Sequence, residues 1–159
     1  MEQGDQNPGS SLLDRESIVN TLSTLSDALG RLGITGEICL FGGTVMVLAF
    51  NARLATKDVD ALFQPATIIR DLARRLGPEQ GLAEDWLNDG VKGFLSERHE
   101  TTGVGLPQFQ HLRLTMPTPG YLLAMKCMAA RIGTGTGEAN DVPDIVFLIR
   151  KLSLGSAAA

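Results

Sequence analysis

The sequence has few cysteines and no long apolar run. No stretch of about 18 or more uninterrupted apolar residues occurs, so no membrane-spanning helix is expected. Residues 1–8 are polar and acidic rather than basic and then apolar, which argues against a secretion signal. The two cysteines, Cys39 and Cys127, each lie in an apolar run without a Cys or His at metal-ligand spacing. We therefore expect a cytoplasmic protein with two core thiols.

Positive charge and histidine are also scarce. Lys and Arg number 14 against 18 Asp and Glu, giving a formal net charge of −4. Nucleic-acid binding depends largely on neutralising phosphates with Lys and Arg, so a broad nucleic-acid-binding face is not expected. A local basic edge around Arg70, Arg74 and Arg75 stays open. His99 and His111 have no neighbouring Ser, Cys or second His, so neither a catalytic triad nor a zinc site is predicted.

The apolar content is sufficient for one folded domain. Of the 159 residues, 43% are hydrophobic, enough to bury a single core. We place this domain at residues 11–154. Residues 1–10 are polar with Gly and Pro, and residues 155–159 resemble a cloning scar, so both tails are predicted to be disordered.

Apolar periodicity predicts helices that alternate with strands, which indicates an α/β (α+β) fold class. Residues 83–95 are compatible with a short helix or with a turn that ends in a strand, and residues 97–108 are predicted to form a loop. The predicted helices cover 11–33, 44–50, 65–76, 120–132 and a segment that begins at 141, and the predicted strands cover 37–41, 58–63 and 111–116.

Two aspartates alternate with an apolar residue at the start of the predicted strand 58–63. A period of two places Asp58 and Asp60 on one face and Val59 on the other. Their side chains are expected about 7 Å apart along the strand, close enough to share one or two metal ions. Mg²⁺ is usually held by one or two carboxylates together with phosphates and water. The pair therefore predicts a site for Mg²⁺ or Mn²⁺.

A pair of glycines follows the preceding strand directly. Gly42 and Gly43 would let backbone N–H groups approach a triphosphate closely, and Thr44 adds a hydroxyl group. Phosphoryl and nucleotidyl transfer depend mainly on such positioning and on charge neutralisation. A lone Gly-Gly is more often an ordinary turn, and a lone Asp-x-Asp is more often a solvated strand end, so the hypothesis of a nucleotide site depends on their combination.

This combination resembles a known superfamily. The segment from Gly42-Gly43-Thr44 through Arg53, Thr56 and Lys57 to Asp58-Val59-Asp60 is similar to the Gly-Gly and Asp-x-Asp motif of the nucleotidyltransferases. More narrowly, it resembles the minimal bacterial members that include the AbiEii-type toxins of type IV toxin–antitoxin systems. The likeness runs from about residue 37 to residue 154. It includes Trp86-Leu87-Asn88-Asp89, a helix that carries Lys126 and Arg131, and a helix that opens with Asp141 and Asp144.

The resemblance implies a mixed sheet flanked by helices and a set of roles for individual residues. Lys126 would lie near the nucleotide, although a long side chain on an apolar helix can also snorkel to solvent. Arg131, Asp141 and Asp144 would support the site or form an ion-pair cluster between two helices. The implied metal ligands and catalytic residues are Asp58 and Asp60, with catalytic assistance from Lys126, and the implied nucleotide-binding residues are Gly42, Gly43, Thr44, Arg53 and Lys57.

The implied activity is transfer of a nucleoside monophosphate from a nucleoside triphosphate to an RNA end, such as that of tRNA, or to a protein hydroxyl. The partner of such a toxin would be an antitoxin protein. Many active members carry a third carboxylate on a later strand, whereas residues 111–116 contain no acid. Either Asp89, Glu97 or Asp141 substitutes, or two carboxylates suffice, or the chain is a catalytically degenerate regulatory or antitoxin module that binds a partner protein.

Overall fold

The computed structural model describes residues 12–94, 99–132 and 141–153. The predicted tails 1–10 and 155–159 lie outside these residues. The elements in chain order are β1 (Leu13–Asp14), α1 (Arg15–Arg31), β2 (Gly36–Leu40), α2 (Gly42–Leu48), β3 (Ala55–Thr56), β4 (Val59–Gln64), α3 (Ala66–Glu79), β5 (Leu87–Asn88), a 3₁₀-helix (Gly90–Phe94), β6 (Thr101–Thr102), β7 (Leu112–Pro117), α4 (Pro119–Ile132) and α5 (Asp141–Lys151).

Five strands form a mixed sheet in the order β5-β4-β2-β7-β6. Strand β2 runs antiparallel to β4 and parallel to β7, β4 runs parallel to β5, and β6 runs antiparallel to β7. A separate two-stranded sheet pairs β1 with β3, with Leu13 opposite Thr56. The predicted α/β class, a mixed sheet flanked by helices, is confirmed.

The two faces of the main sheet differ in burial. Side chains alternate along each strand, so one face of β2, β4 and β7 carries apolar residues that pack with helices α1 and α3. The opposite face, which we call the open face, is half-buried or exposed, and Asp60 of β4 belongs to it. The buried face consists of Ile38, Leu40, Val59, Ala61, Phe63, Leu112, Leu114 and Met116, and the open face includes Glu37, Cys39, Leu62, Gln64, Arg113 and Thr115.

Helix α1 buries a stripe of Ile18, Leu22, Leu25 and Leu29, which recur at helical spacing against the sheet. The helix begins after Asp14 rather than near Ser11, because the Asp14 carboxylate accepts a hydrogen bond of 2.8 Å from the Ser17 backbone N–H and so caps the first turn. That hydrogen bond also lowers the pKa of Asp14.

The sequence was compatible with two structures at residues 83–95; the described part, 83–94, forms a turn followed by the short strand β5 and the 3₁₀-helix. Trp86 is buried, and its Nε1 donates a hydrogen bond of 2.8 Å to the Ala73 carbonyl oxygen of α3. The Val59 backbone N–H donates to the Trp86 carbonyl oxygen at 2.7 Å, which aligns β5 with the start of β4. Trp86 therefore fixes the strand that carries Asp60.

Two expectations need correction. The predicted loop at residues 97–108 contains strand β6, which pairs with the end of β7. The prediction of two core thiols is wrong for Cys127, which is exposed on α4, and Cys39 is only half-buried on the open face. Burial raises the pKa of the Cys39 thiol, and a hydrogen bond with Thr115 partly offsets this effect. Among the described residues, no helix is long and apolar enough to cross a membrane.

Candidate active site

A cavity of about 370 Å³ lies where β2 ends and β4 begins. Helix α2 and the start of β4 form one wall, and helices α4 and α5 contribute to the other. The cavity therefore combines residues from both halves of the chain. Its lining residues are Phe41, Gly42, Gly43, Met46, Arg53, Thr56, Lys57, Asp58, Asp60, Val91, Leu122, Met125, Lys126 and Leu148.

Gly42, the first residue of α2, lies against the Asp60 carboxylate. Its φ of +61° lies in the left-handed region, which residues with a side chain rarely adopt. A Cβ atom at this position would lie 3.3 Å from Asp60 Oδ2. The carboxylate is thus adjacent to Gly42, and both conformation and space favour glycine here.

Gly43 is required for a different reason. A Cβ atom there would overlap the Arg53 guanidinium and would lie 2.7 Å from Thr56 Oγ1. Because Gly43 has no side chain, the Arg53 guanidinium can pack against the backbone at this position. The sequence suggested close approach to a phosphate at this position, and the structure shows close approach of a cationic side chain.

Asp58 lies directly before β4 rather than within it, and two threonines hold its backbone. Thr44 Oγ1 and Thr56 Oγ1 each donate a hydrogen bond of 3.3 Å to the Asp58 carbonyl oxygen. The Asp58 side chain is exposed and that of Asp60 is half-buried, and both line the cavity. Thr44 is fully buried and does not line the cavity, so its hydroxyl supports Asp58 instead of facing a phosphate.

The buried Asp144 carboxylate pairs with two cationic side chains of the cavity. Asp144 of α5 is 3% exposed, and its Oδ2 lies 2.7 Å from Lys126 Nζ and 3.1 Å from Arg53 Nη2. The side chains of Lys126 and Arg53 are only 13% and 15% exposed, so Lys126 does not snorkel to solvent. Buried charges are tolerated when they are paired. The sequence predicted an ion-pair cluster of Asp144 with Arg131 and Asp141. The cations that Asp144 contacts are Lys126 and Arg53, so it joins α5 to α4 and to the loop after α2.

Other residues predicted from the sequence have different surroundings. Lys57 is exposed at the cavity. Asp89 pairs with Arg70 at 2.8 Å and lines a separate groove on the open face. The side chains of Arg131 and Asp141, and all of Glu97, lie outside the described part of the structure.

The cavity contains two carboxylates of the kind that bind a hard cation. Asp58 and Asp60 offer carboxylate oxygens, the ligands that Mg²⁺ prefers, beside space for phosphates and water. A third acidic ligand was not found: within residues 12–94, 99–132 and 141–153, no group of three His, Cys, Asp or Glu side chains could hold a metal ion. Strand β7 directs Arg113 and Thr115 to the open face, and neither is an acid.

The sequence did not predict the apolar lining of the cavity, nor that His99 lies next to it. His99 stacks on Tyr121 with ring centroids 4.8 Å apart and lies 5.9 Å from the ring of Phe41. Both His99 ring nitrogens are buried, and neither has a hydrogen-bond partner in the described part of the chain. No local pattern signals this stack, because its three members are far apart in sequence.

Comparisons of the chain with models of known protein families, with curated proteins and with solved structures found no match.

Proposed function

We propose that this protein is a Mg²⁺-dependent nucleotidyltransferase that transfers a nucleoside monophosphate from a nucleoside triphosphate to a hydroxyl group and releases pyrophosphate. One observation carries this proposal: Asp58 and Asp60 line the same cavity as Gly42 and Gly43, with Arg53 and Lys126 also in its lining. A carboxylate pair for a metal and cations for a triphosphate are the parts that this reaction requires.

The chain would act mainly by positioning charge. Mg²⁺, held by Asp58 and Asp60, would neutralise phosphate charge as it develops. Arg53 and Lys126 are already oriented by Asp144, so they would meet the triphosphate with little loss of side-chain entropy. Lys57 adds a third positive charge at the mouth of the cavity.

The proposed acceptor is an RNA end, such as that of tRNA, or a protein hydroxyl, and the proposed biological role is that of a toxin with an antitoxin partner. Both come from the resemblance to AbiEii-type nucleotidyltransferases. A second candidate, a noncatalytic module that binds a partner protein, is favoured by one observation: the described residues contain no group of three acidic or other metal-binding side chains.

The test of the proposal is transfer of label from α-³²P nucleoside triphosphates in the presence of Mg²⁺, with a tRNA pool and the protein itself as acceptors. Asp58→Ala or Asp60→Ala should lower transfer by roughly three orders of magnitude, because metal stabilisation of charge is worth several kcal/mol. Asp71→Ala, at an exposed position of α3, is the matched control and should transfer normally. Equal transfer by all variants would contradict the catalytic proposal, and transfer by none, including wild type, would favour the binding module.

A further inference from the structure

The cavity has a second, apolar region on helix α4 that the proposed chemistry does not use. Leu122, Met125 and Lys126 are spaced i, i+3 and i+4, so they share one face of α4, and all three line the cavity. The cation paired with Asp144 therefore lies next to apolar surface on the same helix.

Two of the apolar lining residues retain surface that a ligand could contact. Three other apolar lining residues are at most 3% exposed and offer little surface to a ligand: Met46, Leu122 and Leu148. Met125 of α4 and Val91 of the 3₁₀-helix are half-buried, so part of each side chain faces the cavity.

The polar lining residues have charges or existing contacts that suit a triphosphate and a metal better than a base. The charged lining residues are Arg53, Lys57, Asp58, Asp60 and Lys126, and the Thr56 hydroxyl donates to the Asp58 carbonyl oxygen. Among the described lining residues there is no Ser, Asn or Gln side chain, the neutral groups that commonly read the edge of a base.

We propose that Met125 and Val91 form a nucleobase site that contacts the flat face of the base and does not read its edge. This inference depends on the proposed function, which places the triphosphate beside Gly42, Asp58 and Asp60. Thioether and aliphatic groups contact aromatic rings favourably, whichever base carries the ring. Apolar pockets discriminate weakly between ligands of similar shape, so the four nucleotides should bind within about tenfold of one another.

The experiment is isothermal titration calorimetry of the full chain with Mg²⁺ and ATP, GTP, CTP, UTP or inorganic tripolyphosphate. Each nucleotide should bind more tightly than tripolyphosphate. Met125→Ala should raise the Kd of each nucleotide roughly three- to tenfold, because it removes part of a buried apolar contact, and should leave tripolyphosphate binding unchanged. Met128→Ala is the matched control, since Met128 lies on the same helix, is 53% exposed and does not line the cavity.

The possible failures are distinguishable. Nucleotides that bind no better than tripolyphosphate, or that are unaffected by Met125→Ala, would overturn the nucleobase site and leave the proposed transferase standing. A preference of more than about a hundredfold for one base would show that its edge is read and would overturn the face-only contact. Failure of every triphosphate to bind would overturn both proposals.

Discussion

The two walls of the cavity are built in different ways. Residues of the sheet-side wall, from Gly42 to Asp60, are close in sequence and are positioned by the short helix α2, the segment after it and the start of β4. Residues of the helix-side wall come from α4 and α5, and the ion pair between Arg53 and Asp144 joins this wall to the other. The first wall thus depends on local backbone geometry, and the second depends on a long-range contact between buried charges.

The ion pairs of Asp144 hold the two walls of the cavity together. Asp144 is paired with cations from both sides, Lys126 of α4 and Arg53 of the loop after α2. Removal of this one carboxylate would leave two cations largely buried without their shared partner, which is far more costly than loss of a surface pair.

Asp144→Ala should have the largest effect on stability. We expect a loss of about 3–5 kcal/mol in the free energy of unfolding, measured by urea denaturation, because a buried ion pair is broken. Glu37→Ala is the control: Glu37 pairs with Arg113 at 3.8 Å, both side chains are more than half exposed, at 63% and 72%, and its loss should cost no more than about 1 kcal/mol. Equal losses for the two variants would show that Asp144 does not join the walls.

Gly43→Ala should have an intermediate effect. The added methyl group would displace the Arg53 guanidinium and crowd Thr56, so it should weaken the contact between the walls and cost about 1–3 kcal/mol. Gly120→Ala on α4 is a suitable control, because nothing lies within 4 Å of its Cβ position, and thermal unfolding should show no loss of stability for it. Similar destabilisation of both variants would argue against the crowding at Gly43.

The smallest effect concerns the two thiols, Cys39 on the open face of the sheet and Cys127 on α4. Cys127, exposed on α4, should be alkylated by iodoacetamide faster than Cys39, because burial raises the pKa of Cys39 and lowers its thiolate fraction. Mass spectrometry of the native protein should show Cys127 modified first, and both thiols should react alike in urea. Faster reaction of Cys39 in the native protein would contradict its burial on the open face of the sheet.

The sheet-side wall was predictable because its signals are local. Alternation along residues 58–63 predicted β4, and the apolar run that ends before Gly42-Gly43 predicted β2, although α2 begins at Gly42 rather than at residue 44. The prediction that Asp58 belongs to the strand failed because the hydroxyl groups of Thr44 and Thr56 hold its carbonyl oxygen in the preceding turn.

The helix-side wall was only partly predictable. The helices themselves follow from apolar periodicity, but the contact between Arg53 and Asp144 joins residues that are far apart in the chain, and no spacing rule links them. The two-residue strand β6 was also missed, because so short a segment has no measurable alternation and is defined only by its pairing with β7. Tertiary contacts decided both features.

The most direct test of the central claim is a calorimetric titration of ATP, CTP, GTP and UTP into the wild-type protein and an Asp58→Asn/Asp60→Asn variant, each with and without Mg²⁺. The account predicts triphosphate binding to the wild type that depends on Mg²⁺, and loss of that dependence in the variant with unchanged thermal unfolding. Identical heats for the two proteins, or no effect of Mg²⁺ on the wild type, would contradict it.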